Sequence, residues 1–221
     1  MHHLDITRPL PYMRSRASTY ARDGSDYDTV QLNAGETWSA ILEGAGEVRH
    51  IWFSMKFEEQ TASLSNIQFL AWFDDTAIPQ INTPLGDFIG LGHNQFNFVR
   101  SAAFDSAPLT DLRSGTINPL HGSANFWLPM PFASGARFEL RNLTGGPVEL
   151  AAYFDSIRLP NPADVSPYRF HATYRERAPR EAERDERGDV LLNTTGEDNY
   201  TLLDLQNAEG NFVEVSAVHV I

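Results

Sequence analysis

Short segments in which apolar and polar residues alternate recur along this chain, separated by turns. Alternation with a period of two, in segments rich in β-branched and aromatic residues, predicts strands that are buried on one face. Gly, Pro, Asn and Asp clusters divide these segments at roughly 10- to 20-residue intervals, and Asp74-Asp75, between two such segments, predicts a hairpin turn. Helical periodicity is weak, with one turn predicted at 61–66. We therefore predict an all-β fold, a β-sandwich of the jelly-roll type. The clearest predicted strands are residues 28–32, 48–53, 67–73, 136–140 and 148–154.

Composition changes in the last third of the 221 residues. We predict a first jelly-roll domain over residues 1–165, followed over 166–221 by a connecting segment and the opening strands of a second, incomplete jelly roll. Segment 174–189 holds five arginines and six carboxylates, which is typical of a solvated connection or a long exposed hairpin. The final segment, 216–221, is apolar and no turn follows it. Because unpaired apolar edge strands promote aggregation, we expect a longer protein or a partner subunit at this edge.

Charge and residue usage exclude several classes of function. The 17 Lys and Arg against 29 Asp and Glu give a formal net charge of −12, which repels phosphate backbones and anionic lipid, so we expect no nucleic-acid and no membrane partner. The single lysine, Lys56, precedes Phe57, which excludes a Walker-type phosphate loop. With no cysteine and no metal-binding histidine motif, we expect no cofactor and no metal. No segment has signal-peptide or membrane-span character, so we expect a soluble protein; its compartment stays open, with the cytoplasm slightly favoured.

Two polar stretches are candidates for ligand binding. Asp87 and His93 lie on a glycine-punctuated segment, 84–93, where glycines allow close approach of a ligand to the backbone. Upstream, arginines and Ser18 surround Tyr20 in residues 14–22. Aromatic rings beside charged, fork-shaped donors suit sugars, which present an apolar face and a rim of hydroxyls. These residues favour a sugar-binding site.

Seven blocks, in order, resemble glycoside hydrolase family 172. The resemblance spans roughly residues 14–215, and its specificity comes from the order of the blocks rather than from any one of them. The blocks are RASTY at 16–20, GAGEVRHIWF at 44–53, WFDD at 72–75, PLGDFIG at 84–90, NFWLPMPF at 125–132, RFHA at 169–172 and NY at 199–200. The resemblance implies two tandem jelly rolls, assembly as trimers or hexamers, and an active site at a subunit boundary. The implied substrates are furanosides, either α-D-fructofuranosides or D-arabinofuranosides.

The chain also departs from this family. The two catalytic glutamates of the family lie in G-E-G-D and G-T-x-T-E-D-Y motifs downstream of the segment that corresponds to 208–213, and neither motif occurs here. Ser25 and Asp26 stand where the family usually has a second glycine. Retaining hydrolysis needs two carboxyl groups about 5 Å apart, so we expect no catalytic residue in this chain. The first hypothesis is the N-terminal part of a retaining furanosidase. The alternative is a non-catalytic jelly roll with a sugar-binding or capsid-like assembly role.

Within this half, we predict six residues that bind the sugar or support its pocket. Four of them have a structural alternative: Trp52 as a core residue, Asp87 as a cap of its own loop, His93 as a structural histidine and Arg22 as a surface ion pair. The sequence does not distinguish fructosyl from arabinosyl specificity. The six are Trp52, Asp87, His93, Arg16, Ser18 and Arg22.

Overall fold

A computed structural model describes residues 12–25, 28–58, 63–91, 94–176, 184–191, 201 and 209–211. In these residues the chain is nearly all β, with two sheets packed as a sandwich, which confirms the predicted jelly-roll class. The strands are β1 Met13–Ser18, β2 Val30–Leu32, β3 Thr37–Glu43, β4 Gly46–Phe57, β5 Ile67–Phe73, β6 Ile81–Pro84, β7 Val99–Arg100, β8 Phe104–Thr110, β9 Ile117–Phe126, β10 Met130–Phe132, β11 Gly135–Asn142, β12 Val148–Arg158 and β13 Ala172–Thr173. One helical turn, α1, spans Leu85–Phe88, and 3₁₀ turns span Leu64–Asn66 and Pro162–Asp164.

The larger sheet has the order β1-β12-β4-β9-β8-β7, with β10 also paired to β4 and β2 also paired to β12. The smaller sheet has the order β13-β6-β5-β11-β3. Among the described strands, β13 and β6 form a parallel pair and the other pairings are antiparallel. All five clearest predicted strand segments lie within or overlap strands of this sandwich.

Aromatic side chains fill the space between the sheets. Phe53 and Phe154 come from the larger sheet, and Phe69 and Phe138 come from the smaller one; each is at most 1% exposed. Their ring centroids lie 4.6–6.4 Å apart in the contacting pairs. Burial of each ring stabilises the fold by about 1.5–3 kcal/mol. Since side chains alternate along a strand, anchoring these rings inward turns their neighbours on β4 and β12 to the outer face.

The glycine-punctuated segment that was predicted as a loop contains α1 instead. Leu85 is fully buried and begins the turn, and Gly90 follows it with a φ of +70°. A Cβ atom at Gly90 would lie 2.2 Å from Cζ of Phe104. The packing of the helix end against this ring therefore requires glycine here, without any ligand. A Cβ atom at Gly86 would lie 3.0 Å from Cβ of Leu64, a less severe contact.

Asp74 ties three segments together at the turn between β5 and β6. Its Oδ1 accepts hydrogen bonds from the backbone N–H groups of Ala133 at 2.6 Å and Ser134 at 2.8 Å. Its Oδ2 accepts one from Nε of Arg169. Asp74 and Asp75 have φ values of 59° and 55°, as expected for a tight hairpin turn at this predicted position.

The chain divides into two compact units, residues 1–174 and 175–221. In the second unit, the described residues 184–191 form an exposed turn closed by an antiparallel bridge between Arg184 and Val190. The predicted domain boundary at residue 165 stays a prediction. The predicted strands after residue 191 lie almost entirely outside the described residues. In the described part of the chain, no helix combines the length and hydropathy needed to cross a bilayer.

Candidate functional site

A row of hydrogen-bonded polar side chains crosses the outer face of the larger sheet. We call Arg16, Asp155, His50, Asn125 and Asp105 the polar row; they come from the neighbouring strands β1, β12, β4, β9 and β8 respectively. Asp155, Asn125 and Asp105 each lie between two buried residues of their strand, so alternation directs these three side chains outward. Arg16 and His50 lie directly opposite Asp155 in the sheet register and share its face.

The contacts along the polar row are continuous. Nε and Nη2 of Arg16 donate to Oδ1 and Oδ2 of Asp155, at 2.5 and 2.9 Å. Nδ1 of His50 lies 3.1 Å from Asp155 Oδ2, and its Nε2 lies 2.9 Å from Oδ1 of Asn125. Nδ2 of Asn125 donates to Oδ1 of Asp105 at 2.7 Å. Bidentate and charge-assisted bonds of this kind fix the orientation of the side chains that form them.

Two aromatic stacks flank the polar row. The Trp127 indole stacks on the His50 ring with centroids 4.1 Å apart, and its Nε1 donates to Oδ2 of Asp105 at 3.1 Å. Trp52 stacks on Tyr153 at 4.6 Å, and the Arg16 guanidinium lies 4.7 Å from the centre of the Tyr153 ring. The outer face therefore combines flat apolar rings with fixed donors and acceptors.

The electrostatics of the row favour the charged forms of Arg16 and Asp155. Burial acts to raise the pKa of Asp155, but the hydrogen bonds from Arg16 and His50 outweigh it, and the pKa lies below the ordinary value. The hydrogen bond to Asp155 likewise raises the pKa of Arg16. Because the Arg16 side chain is 53% exposed, solvent screens this pair, and its main effect is orientation rather than stability.

A groove lies beside the end of the row, between β1 and β3, which are edge strands of the two sheets. Its volume is about 200 Å³. Pockets for drug-sized ligands measure roughly 300–1,000 Å³, so this groove suits a single small ring. Its lining combines arginine, hydroxyl and aromatic side chains: Arg16, Ala17, Ser18, Tyr20, Arg22, Trp38, Ser39, Ala40 and Ile41.

The two carboxylates of the row are too far apart to form a glycosidase acid pair. Asp155 on β12 and Asp105 on β8 are separated by β4 and β9. Three strand spacings amount to about 14 Å. Retaining enzymes need about 5 Å between the carboxyl groups and inverting enzymes at most about 9.5 Å. The polar row can therefore hold or orient a ligand, but its carboxylates cannot act together on one glycosidic bond.

The structure brings four of the six predicted site residues to one side of the molecule. Arg16, Ser18 and Arg22 line the groove. Trp52 lies on the outer face, half-buried against Tyr153, rather than in the core. Asp87 lies apart from them in sequence and element, on α1 after β6 of the smaller sheet. His93 lies outside the described residues.

Sequence reasoning missed four of the five residues of the polar row, and Trp127 beside it. The four are His50, Asn125, Asp105 and Asp155. A signal was present, because polar and aromatic residues two positions apart share a strand face. The pairs His50 with Trp52, Asn125 with Trp127 and Tyr153 with Asp155 all have this spacing. That spacing does not show which of these strands are neighbours in the sheet.

Neither the side chains that could bind a metal nor the comparisons with known proteins indicate a cofactor or a family. In the ranges that the structure describes, no three His, Asp or Glu side chains lie close enough together to hold a metal ion. A scan against protein-family models gives no match, and a search of curated proteins gives no significant match. The resemblance to glycoside hydrolase family 172 thus rests on the seven sequence blocks alone.

Proposed function

We propose that this chain is the N-terminal, substrate-holding part of a retaining glycoside hydrolase that acts on furanosides, with the catalytic glutamate pair supplied by sequence outside it. The observation that carries the proposal is the groove between β1 and β3. It places two arginines, two serines and two aromatic rings around a volume of about 200 Å³. A furanose ring offers one apolar face and several hydroxyls, which match such a lining.

The orientation of Arg16 also supports sugar binding. Its guanidinium is held in place by two hydrogen bonds to Asp155 and by the Tyr153 ring beneath it. A side chain that is already ordered loses less conformational entropy when a ligand binds. A groove sized for one ring agrees with removal of single terminal residues, which the resemblance implies for D-arabinofuranosides.

Binding and turnover are tested separately on the 221-residue chain. We expect methyl α-D-arabinofuranoside or methyl α-D-fructofuranoside to bind, as measured by saturation-transfer NMR, and aryl α-D-furanosides not to be hydrolysed. Arg22→Gln removes a donor worth about 1 kcal/mol, which corresponds to a roughly fivefold loss of affinity. Arg100→Gln, on β7 at the opposite edge of the larger sheet, is the matched control and should bind normally.

Three outcomes would count against the proposal. Turnover by the chain alone would refute the expectation that its acid pair lies elsewhere. Absence of binding to either glycoside would refute the substrate-holding role. Equal effects of Arg22→Gln and Arg100→Gln would show that binding does not use the groove.

The alternative, a non-catalytic module with an assembly role, has one observation in its favour. The β8–β9 hairpin extends beyond the pairing of β9 with β4 and carries three exposed apolar side chains near its tip. They are Leu109 at 48%, Leu112 at 97% and Ile117 at 50% exposure. Under this alternative the chain forms a homotrimer or hexamer, and Leu112→Ser shifts its mass toward the monomer in light scattering. An unchanged mass would leave the hairpin without an assembly role.

A further inference from the structure

The direction of the hydrogen bonds in the polar row follows from Trp127, the donor beside its Asp105 end. Nε1 of Trp127 can only donate, and it donates to Asp105. The other oxygen of Asp105 lies 2.7 Å from Asn125, so the NH₂ group of Asn125 faces Asp105. The carbonyl oxygen of Asn125 therefore faces Nε2 of His50, at 2.9 Å.

His50 consequently has an acceptor at each ring nitrogen. Oδ2 of Asp155 lies 3.1 Å from Nδ1, and Oδ1 of Asn125 lies 2.9 Å from Nε2. A neutral imidazole donates at one nitrogen only, whereas an imidazolium donates at both. With His50 as an imidazolium, both of its ring nitrogens donate a hydrogen bond. The carboxylates of Asp155 and Asp105 are then balanced by two cations, Arg16 and His50. The imidazolium charge also lies over the Trp127 indole, 4.1 Å away, where cation–π attraction favours it.

We infer that His50 is a positioning residue for the groove: as an imidazolium it holds Asp155, and through Asp155 it holds Arg16 in the orientation that meets the ligand. This inference rests on the proposed function. When the ring loses one proton, a nitrogen lone pair faces an oxygen, so one of the two hydrogen bonds of His50 is lost. The side chains of the polar row are then less well ordered. The groups that face His50, directly or through one neighbour, are Asp155 on β12, Asn125 on β9, Trp127 beyond β9, Arg16 on β1 and Asp105 on β8. Strand β10, which also pairs with β4, carries no titratable side chain.

The first test needs no sugar. The Nε–H resonance of Arg16 is followed by ¹⁵N NMR in the full chain at two pH values, a lower one at which the ring resonances of His50 show the imidazolium and a higher one at which they show the neutral ring. We expect it to move in parallel with the ring resonances of His50. His121→Gln removes another histidine from β9 and should leave this response unchanged, while His50→Arg, which keeps charge and donors, should abolish it. An Arg16 resonance that does not follow His50, or that responds equally in His50→Arg, would overturn the inference.

The second test uses methyl α-D-arabinofuranoside as the probe. We expect the wild-type chain to bind it roughly fivefold more weakly at the higher pH, about the effect of one weakened charge-assisted hydrogen bond. His50→Gln should bind weakly at both pH values, and His50→Arg should restore tight, pH-independent binding. A pH-independent wild type whose Arg16 resonance still responds would overturn the positioning role at the groove. If no variant binds the probe at any pH, the proposed function fails, and the Arg16 resonance alone then decides whether His50 orders the row.

Discussion

Replacement of Asp74 by Ala should destabilise the sandwich strongly, because one carboxylate joins three segments. The change removes the acceptor of two backbone N–H groups, from Ala133 and Ser134, and the partner of Arg169. The side chains of Asp74 and Arg169 are only 22% and 19% exposed, so water replaces these contacts incompletely. Hydrogen bonds to charged groups contribute about 1.5–3 kcal/mol and neutral ones about 1 kcal/mol. We expect the lost hydrogen bonds to lower the free energy of unfolding by about 3 kcal/mol.

The adjacent residue provides a matched control. Asp74 and Asp75 both have φ values near +60°, so alanine suffers the same backbone strain, about 1–2 kcal/mol, at either position. Asp75 is exposed. The difference between Asp74→Ala and Asp75→Ala therefore isolates the hydrogen bonds. In thermal unfolding followed by circular dichroism, about 3 kcal/mol corresponds to a midpoint roughly 6–12 °C lower for Asp74→Ala. A difference below about 1 kcal/mol would refute the reasoning.

Acid provides a second check on Asp74. Burial acts to raise the pKa of Asp74, but the hydrogen bonds from Ser134, Arg169 and Ala133 hold it below the ordinary value. A carboxylate with a lowered folded pKa stabilises the protein above its unfolded pKa of about 3.9, and this contribution disappears as the pH falls through the folded value. The difference in free energy of unfolding between Asp74→Ala and Asp75→Ala should therefore decrease below about pH 4. A gap that persists at about pH 2 would show that the carboxylate charge is not its source.

Three further changes test the fold and the row by urea denaturation. Gly90→Ala should lower the free energy of unfolding by about 3 kcal/mol more than Gly115→Ala. Both glycines have φ near +70°, but only a Cβ at residue 90 would meet the Phe104 ring. Equal losses for the two variants would contradict this explanation. Phe138→Ala, at the centre of the core, should cost about 3–5 kcal/mol, and a loss below about 1 kcal/mol would contradict its role. Asp155→Asn should lower the free energy of unfolding by about 1 kcal/mol at neutral pH. It should also remove the part of the wild-type loss of stability that sets in below about pH 4. An unchanged loss of stability in acid would contradict the lowered pKa of Asp155.

Packing decided two points that the sequence left open. The glycines of segment 84–93 predict a loop, whereas the structure has the turn α1 there, and Gly90 is required by the nearby Phe104 ring, which is 14 residues away in the chain. Trp52 fits a core position or a surface position equally well in an alternating strand. Its outward direction follows from the burial of Phe53 beside it, which packs against Phe69 and Phe154.

The sequence by itself determined the all-β class, the five clearest strands and the hairpin turn at Asp74, because period-two alternation and turn residues are local properties. It also marked Arg16, Ser18 and Arg22, which are close together in the chain and line one groove. Only the tertiary structure decided that Asp155, His50 and Asn125 form one row. These residues lie 105 and 75 positions apart along the chain, and no local pattern encodes which strands become neighbours. Strand order is set by the burial of the whole aromatic core, so the candidate site depends on interactions that exist only in the folded chain.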